Sequence, residues 1–274
     1  MNNFNKAKTW LENADAIIVT AGNGFSKQEG LDILSEKDFD KEFSEVAQKY
    51  NVHTVGDALD KQFGSWNEQW KFWSNLVNKY SLNYHPSDTM DQLKSLLKGK
   101  EYFIATSSFG HFFEKANFDK KRIFNIFGDW TQMQCSSGLN HGQRSAIKEI
   151  KKIISAEEQG KEINDEFVPK CEDCNSPMEL YMPLNSHFFP DENANTRFRW
   201  FLTNNENKNV VVLELGVDMT SPQLLDPIAA LVMQFENWNY VAADLATEDI
   251  PDELKEKTVT FNANSHELIK KLCK

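Results

Sequence analysis

Short β-branched runs alternate with helix-periodic segments along most of the chain. Phe4, Ala7, Leu11 and Ala14 recur at helical spacing, and "AIIVT" (16–20) follows as a short apolar run ending at glycine. Comparable runs recur at "EYFIAT" (101–106), "KRIFNIF" (121–127), "VVVLELG" (210–216), "NYVAADL" (239–245) and "TVTFNA" (258–263). Helical patterns lie between most of them, as in "MDQLKSLLKG" (90–99), "SPQLLDPIAALVMQF" (221–235) and "SHELIKKLC" (265–273). This alternation predicts an α/β protein, a parallel sheet with helices on both faces. Ligands in such sheets sit beyond the carboxyl ends of the strands, so the loops that follow strands carry the interest.

Two stretches break the alternation. Residues 35–84 are rich in aromatics, and Phe63, Trp66, Trp70 and Trp73 fall on one face of an expected helix. That face is either the packed side of a helical cap or an aromatic wall over a cleft. Residues 135–204 open on "CSSGLNH", pass through the charged "KEIKKIISAEEQGKEINDE" and reach "PKCEDCNSP", a pattern that suggests a small insert. The sheet domain is then assembled from 1–34, 85–134 and 205–274.

Composition narrows the function. Over 274 residues the net charge is −11, which repels nucleic-acid backbone and anionic lipid, so neither is an expected partner. No apolar run is long enough to span a membrane, and "MNNFNKAKTW" has no signal-peptide core. Four cysteines (Cys135, Cys171, Cys174 and Cys273) are too few for a disulfide framework, and a cytoplasmic location is expected.

The loop "TAGNGFS" (20–26) stands directly after the first strand run. Its glycines let backbone amides approach an anion or make a tight strand-to-helix turn. It is neither the dinucleotide fingerprint, since Lys27 stands three residues after Gly24, nor a Walker loop. "AGNGFSKQEGLD", "FIATSSFGHFFEKANF", "IFNIFGDWTQMQC", "PKCEDCNSPM" and "LELGVDMTSP" then follow in one order. This ordered set resembles the sirtuins, nearest to the bacterial macrodomain-linked class M branch, from about residue 8 to 270. The resemblance implies a Rossmann-like NAD domain with a small zinc-ribbon-like and helical module. It also implies cleavage of NAD between ribose and nicotinamide, for protein ADP-ribosylation in class M and lysine deacylation in most other sirtuins.

Carried over residue by residue, the resemblance places Ala21, Gly22, Gly24 and Ser26 on the pyrophosphate, with Asp32 at the acidic position beyond. Gly216, Thr220 and Ser221 fall near phosphate and ribose, and Asp244 stands where the family usually has asparagine. The reactive half departs from the pattern. Ser108 and Gly110 occupy the asparagine and aspartate positions of "TNVD" or "QNID", and Phe127 occupies that of the polar base before Gly128. A phenyl ring moves no proton. His111, three residues after Ser108, is the candidate replacement or a loop histidine. An arginine expected after the CxxC motif falls near Pro183.

Cys171 and Cys174 have the spacing of a zinc knuckle, and Cys135 adds a third thiolate. Leu139 stands where a fourth cysteine is expected, leaving His141 as the candidate fourth ligand or the module metal-free. Together these residues imply a protein that binds NAD or ADP-ribose and is catalytically impaired, a pseudoenzyme, sensor or partner protein. The alternative is a divergent ADP-ribosyltransferase or deacylase in which Ser108 or His111 does altered work. The protein substrate or partner is not legible.

Overall fold

The computed structural model describes residues 2–183, 188–217, 222–243, 250 and 252–274. Thr220, Ser221 and Asp244 lie outside the described residues. Six strands form one parallel sheet: β1 (Ala16–Ala21), β2 (Glu101–Thr106), β3 (Ile123–Asn125), β7 (Val210–Leu215), β8 (Trp238–Ala243) and β9 (Thr258–Phe261). Their order is β3-β2-β1-β7-β8-β9, with every neighbouring pair parallel. The two central strands, β1 and β7, are buried along their whole length, which explains their unbroken apolar runs. Successive residues face opposite layers: Ile17, Val19 and Ala21 enter one core cluster and Ala16 and Ile18 the other.

The second cluster holds Phe198 and Phe201 of α10 (Glu192–Asn205) and Ile228 and Val232 of α11 (Pro222–Gln234). On the opposite face lie α1 (Asn3–Asn13), α2 (Asn23–Gln28), α7 (Asp88–Leu97) and α12 (Ser265–Leu272). α10 therefore belongs to the main sheet, where its Phe198 packs on Phe103 and Phe124, rather than to the expected insert.

The aromatic stretch is a helical cap of α3 (Glu36–Glu42), α4 (Ser44–Tyr50), α5 (Val55–Asp60) and α6 (Trp66–Val77). Phe63 lies outside the helix it was expected to share. Ser65 caps α6 by accepting the Glu68 amide, and Phe63 donates its own amide to Gln69 Oε1 at 3.0 Å. Trp70 and Trp73 are nonetheless buried, as a packed cap requires.

A second sheet, absent from the sequence reading, orders β5 (Arg144–Ser145), β4 (Asp129–Cys135) and β6 (Met178–Tyr181) antiparallel, with β4 in the centre. It starts at Asp129, inside the segment expected to belong to the main sheet. Gly128 makes the switch at φ +84°, where a Cβ would stand 2.1 Å from the Tyr181 carbonyl oxygen. The small sheet, α9 (Ile147–Glu158) and the cap join into one core with the first face, and Trp70 Nε1 donates to the Met178 carbonyl at 2.8 Å.

Candidate functional site

Strand order reverses between β1 and β7, because the chain runs outward to β2 and β3 on one side and to β8 and β9 on the other. Loops leaving such a pair diverge and open a crevice. Here the two loops are locked together by backbone. The Gly22 amide donates to the Leu215 carbonyl at 3.2 Å, and the Gly24 amide to the Gly216 carbonyl at 3.0 Å. A Cβ on Gly22 would stand 2.6 Å from the Gly216 oxygen, and one on Gly216, at φ +62°, 2.6 Å from the Phe25 nitrogen. These glycines thus serve the close approach of two loops, with the Gly22 and Gly24 amides already engaged. The Asn23 amide makes no hydrogen bond among the described residues. Two buried oxygens in the same loop, Thr20 Oγ1 and Asn23 Oδ1, have no hydrogen-bond partner among the described residues. A polar ligand is the ordinary way to satisfy such groups.

Ser26 and Ser108, expected on one ligand, do meet. Ser26 Oγ lies 2.7 Å from Ser108 Oγ, and both side chains are buried. Ala21 ends β1, and its carbonyl accepts Thr106 Oγ1 at 2.9 Å and the Ser107 amide at 3.0 Å. Asp32 has internal partners, Lys27 Nζ at 2.9 Å and the Leu34 amide at 3.1 Å. Phe127 is half-buried after β3, and Pro183 is exposed.

The β2 loop brings His111 against a residue that the sequence reading passed over. His111 Nδ1 lies 2.9 Å from Asp129 Oδ2 and 3.7 Å from Glu114 Oε2. Asp129 Oδ1 in turn accepts the Thr131 amide at 2.8 Å and Thr131 Oγ1 at 2.7 Å. Burial alone would lower the His111 pKa; the hydrogen bond and charge of Asp129, with Glu114 behind, reverse that and raise it above its ordinary value. The "FGDW" motif held the signal: a carboxylate beside Gly128, two residues after the expected base position.

The cysteines converge at the end of the small sheet. Cys135 Sγ lies 3.4 Å from Cys174 Sγ, and Cys171 Sγ 3.3 Å from His141 Nδ1. All four donor atoms fall within 4.8 Å of one another, an arrangement that can hold one metal ion. Three thiolates and an imidazole make a closed tetrahedral zinc set. Leu139 is 60% exposed, and His141 supplies the fourth donor of the cluster. The hydrogen bonds of Ser176, ahead of those from Cys135 and Ser137, bring the Cys174 thiol down to about 6, so it is a ready thiolate ligand.

Fold and site together define a Rossmann-like α/β protein with a switch-point crevice and a separate Cys/His cluster on its small sheet. The chain is sirtuin-like, with the Sir2 fold. It is similar over 98% of its length to a Sir2 homologue solved with NAD, covering 92% of that chain at 15% identity and a TM-score of 0.66. A mutant Sir2 homologue solved with 2′-O-acetyl-ADP-ribose matches at a TM-score of 0.62 and 15% identity, over 98% of this chain and 94% of that one. In sequence it is 27% identical over 270 residues to a protein ADP-ribosyltransferase of Staphylococcus aureus, covering 96% of this chain and 84% of that protein. A probable bifunctional ADP-ribose hydrolase/ADP-ribosyltransferase of Fusarium oxysporum f. sp. cubense is 27% identical over 244 residues, 83% of this chain. The chain spans 40% of that protein's length. No protein-family model matches the chain. No helix among the described residues is long and apolar enough to cross a membrane.

Proposed function

We propose that this chain binds NAD in the crevice between β1 and β7 and transfers ADP-ribose from it, as a class M type ADP-ribosyltransferase whose proton-handling residues differ from those of other sirtuins. The observation that carries this reading is the convergence of the locked glycine loops, the Ser26–Ser108 pair and the His111–Asp129 contact at the carboxyl ends of adjacent strands. The two relatives named ADP-ribosyltransferases support the choice of reaction over deacylation. The joining of ADP-ribose hydrolase and transferase in one relative's name supports the macrodomain-linked branch.

The unpartnered Thr20 and Asn23 oxygens fit a polar ligand, and Ser26 and Ser108 line the same edge. NAD supplies the activated bond, a ribose carrying a pyridinium leaving group. The acceptor is a protein side chain in this reading, and the acidic surface argues against nucleic acid and anionic membrane. A cytoplasmic location belongs to the same reading, supported by four cysteines that are all free thiols.

A second reading, an impaired NAD or ADP-ribose sensor, is favoured by Phe127 and Gly110. Calorimetry with NAD and with ADP-ribose, followed by chromatography of released nicotinamide, separates the two. Binding with release supports the transferase; binding without release supports the sensor; absence of binding sinks both.

A further inference from the structure

The loop after β2 folds a histidine against a carboxylate from the other sheet. His111 sits at φ +59°, directly after Gly110, and its Nδ1 meets Asp129 Oδ2 at 2.9 Å. Asp129 is itself fixed by two bonds from Thr131. A carboxylate held in this way selects the tautomer with hydrogen on Nδ1 and leaves Nε2 with its lone pair. That nitrogen makes no hydrogen bond among the described residues, and the side chain is 15% exposed.

Behind the pair stands Glu114, its side chain 7% exposed. Its Oε1 accepts from Asn125 Nδ2 at 3.0 Å, while Oε2 is buried without a hydrogen bond. Burial, then the charge of Asp129, raises the Glu114 pKa. The titratable groups that act on the imidazole are Asp129 on β4, Glu114 on the next helical turn and Lys120 beyond it. The trio also has the ligand types of a cation site. Yet both oxygens of Asp129 are taken up by donors within the chain, so the arrangement favours holding a proton over holding an ion.

We propose that His111, oriented by Asp129, is the general base for ADP-ribosyl transfer in this chain, replacing from the β2 loop the residue that Phe127 cannot replace. This inference rests on the reading that NAD is the substrate of the crevice. In the step, the bond from C1′ of the nicotinamide ribose to the pyridinium nitrogen breaks, and its electron pair leaves with neutral nicotinamide. The oxygen of the acceptor, water in the simplest case, forms the new bond to C1′. Its proton passes to His111 Nε2 and from there to solvent. Asp129 touches no reacting atom; it is a positioning residue that steadies the imidazolium.

The test is nicotinamide release from NAD with water as acceptor, followed from about pH 5 to about pH 9, with NAD affinity measured by calorimetry in parallel. Wild-type release is expected to rise with pH through a midpoint above the ordinary histidine value. His111→Ala and His111→Gln are expected to lower release by about 10²–10⁴-fold while NAD still binds. Asp129→Asn is expected to slow release and move the midpoint down, because the carboxylate no longer favours the imidazolium. Circular dichroism of each variant separates loss of fold from loss of base, and the glutamine variant stands in should alanine unfold the loop. Release by folded His111→Ala within about twofold of wild type overturns the assignment. Wild-type protein that binds NAD and releases no nicotinamide overturns the base and leaves the binding reading standing. Wild-type protein that binds no NAD overturns both.

Discussion

Gly110 is fixed by a neighbour, not by its own conformation. A Cβ there would stand 2.3 Å from the ring of Phe112, which is buried and packed edge-on against Tyr84 at 4.7 Å. Gly110→Asp, the change that restores the residue type of the sirtuins the chain resembles, must displace that ring. It is expected to lose about 1–3 kcal/mol in urea unfolding and not to raise nicotinamide release. A stable variant with faster release would show that the loop has room after all. His111 makes the complementary case, since its pKa is raised in the folded chain, with Asp129 outweighing burial. Its contribution to stability is full below the unfolded value of about 6.5 and is lost as pH rises through the folded value. The melting temperature of wild type should thus exceed that of His111→Ala by more at about pH 6 than at about pH 8.5, and a pH-independent difference would refute the ion pair. The departures Gly110 and Phe127 were legible in the sequence because they interrupt an ordered motif. The partner Asp129 was not, because it pairs with a residue 18 positions away across a change of sheet.

At the level of elements, the main strands were legible because burial on both faces writes a continuous β-branched run. β2 occupies the expected 101–106, and β1 extends one residue past the expected 16–20. The small sheet was hidden because β4, "DWTQMQC", follows β3 after a turn marked only by Gly128, and its Thr and Gln break the apolar pattern. Thr131 and Gln134 are buried all the same, Gln134 through its bond to Glu179 at 3.0 Å. The same small sheet decides the fourth ligand, for which the sequence offered His141 or no metal at all. Spacing identified the knuckle at Cys171 and Cys174, but only the fold brings His141 to 3.3 Å from Cys171. The module is therefore expected to carry about one zinc per chain by elemental analysis. His141→Ala should lower that content, and chelation should lower the melting temperature, because binding free energy at a structural site is folding free energy. Full occupancy in Cys135→Ser, Cys171→Ser and His141→Ala alike would place the metal elsewhere.

For the whole molecule, the two sides of the sheet meet at the backbone contact between residues 22–24 and residues 215–216. Each loop leaves a central strand, and each supplies a glycine that a side chain on the other would strike. Stability and ligand binding are consequently coupled there. Gly22→Val would drive its side chain into the Gly216 carbonyl and the Val217 Cα, which a Cβ already approaches at 2.6 and 2.7 Å. The loops must separate, breaking the bonds from the Gly22 and Gly24 amides, at a loss of about 1–3 kcal/mol even without ligand. A ligand that binds only the locked arrangement stabilises wild type by about 2.7 kcal/mol at a hundredfold excess over its Kd. In the variant part of that energy goes into closing the loops again, so protection falls by the same coupling. Thermal unfolding of both proteins with and without NAD measures the two effects at once. The expected result is a lower melting temperature for Gly22→Val and a smaller NAD-induced rise. An equal rise in both would mean that NAD binds away from the switch point, and an equal melting temperature without ligand would mean that the loops are not locked through these glycines.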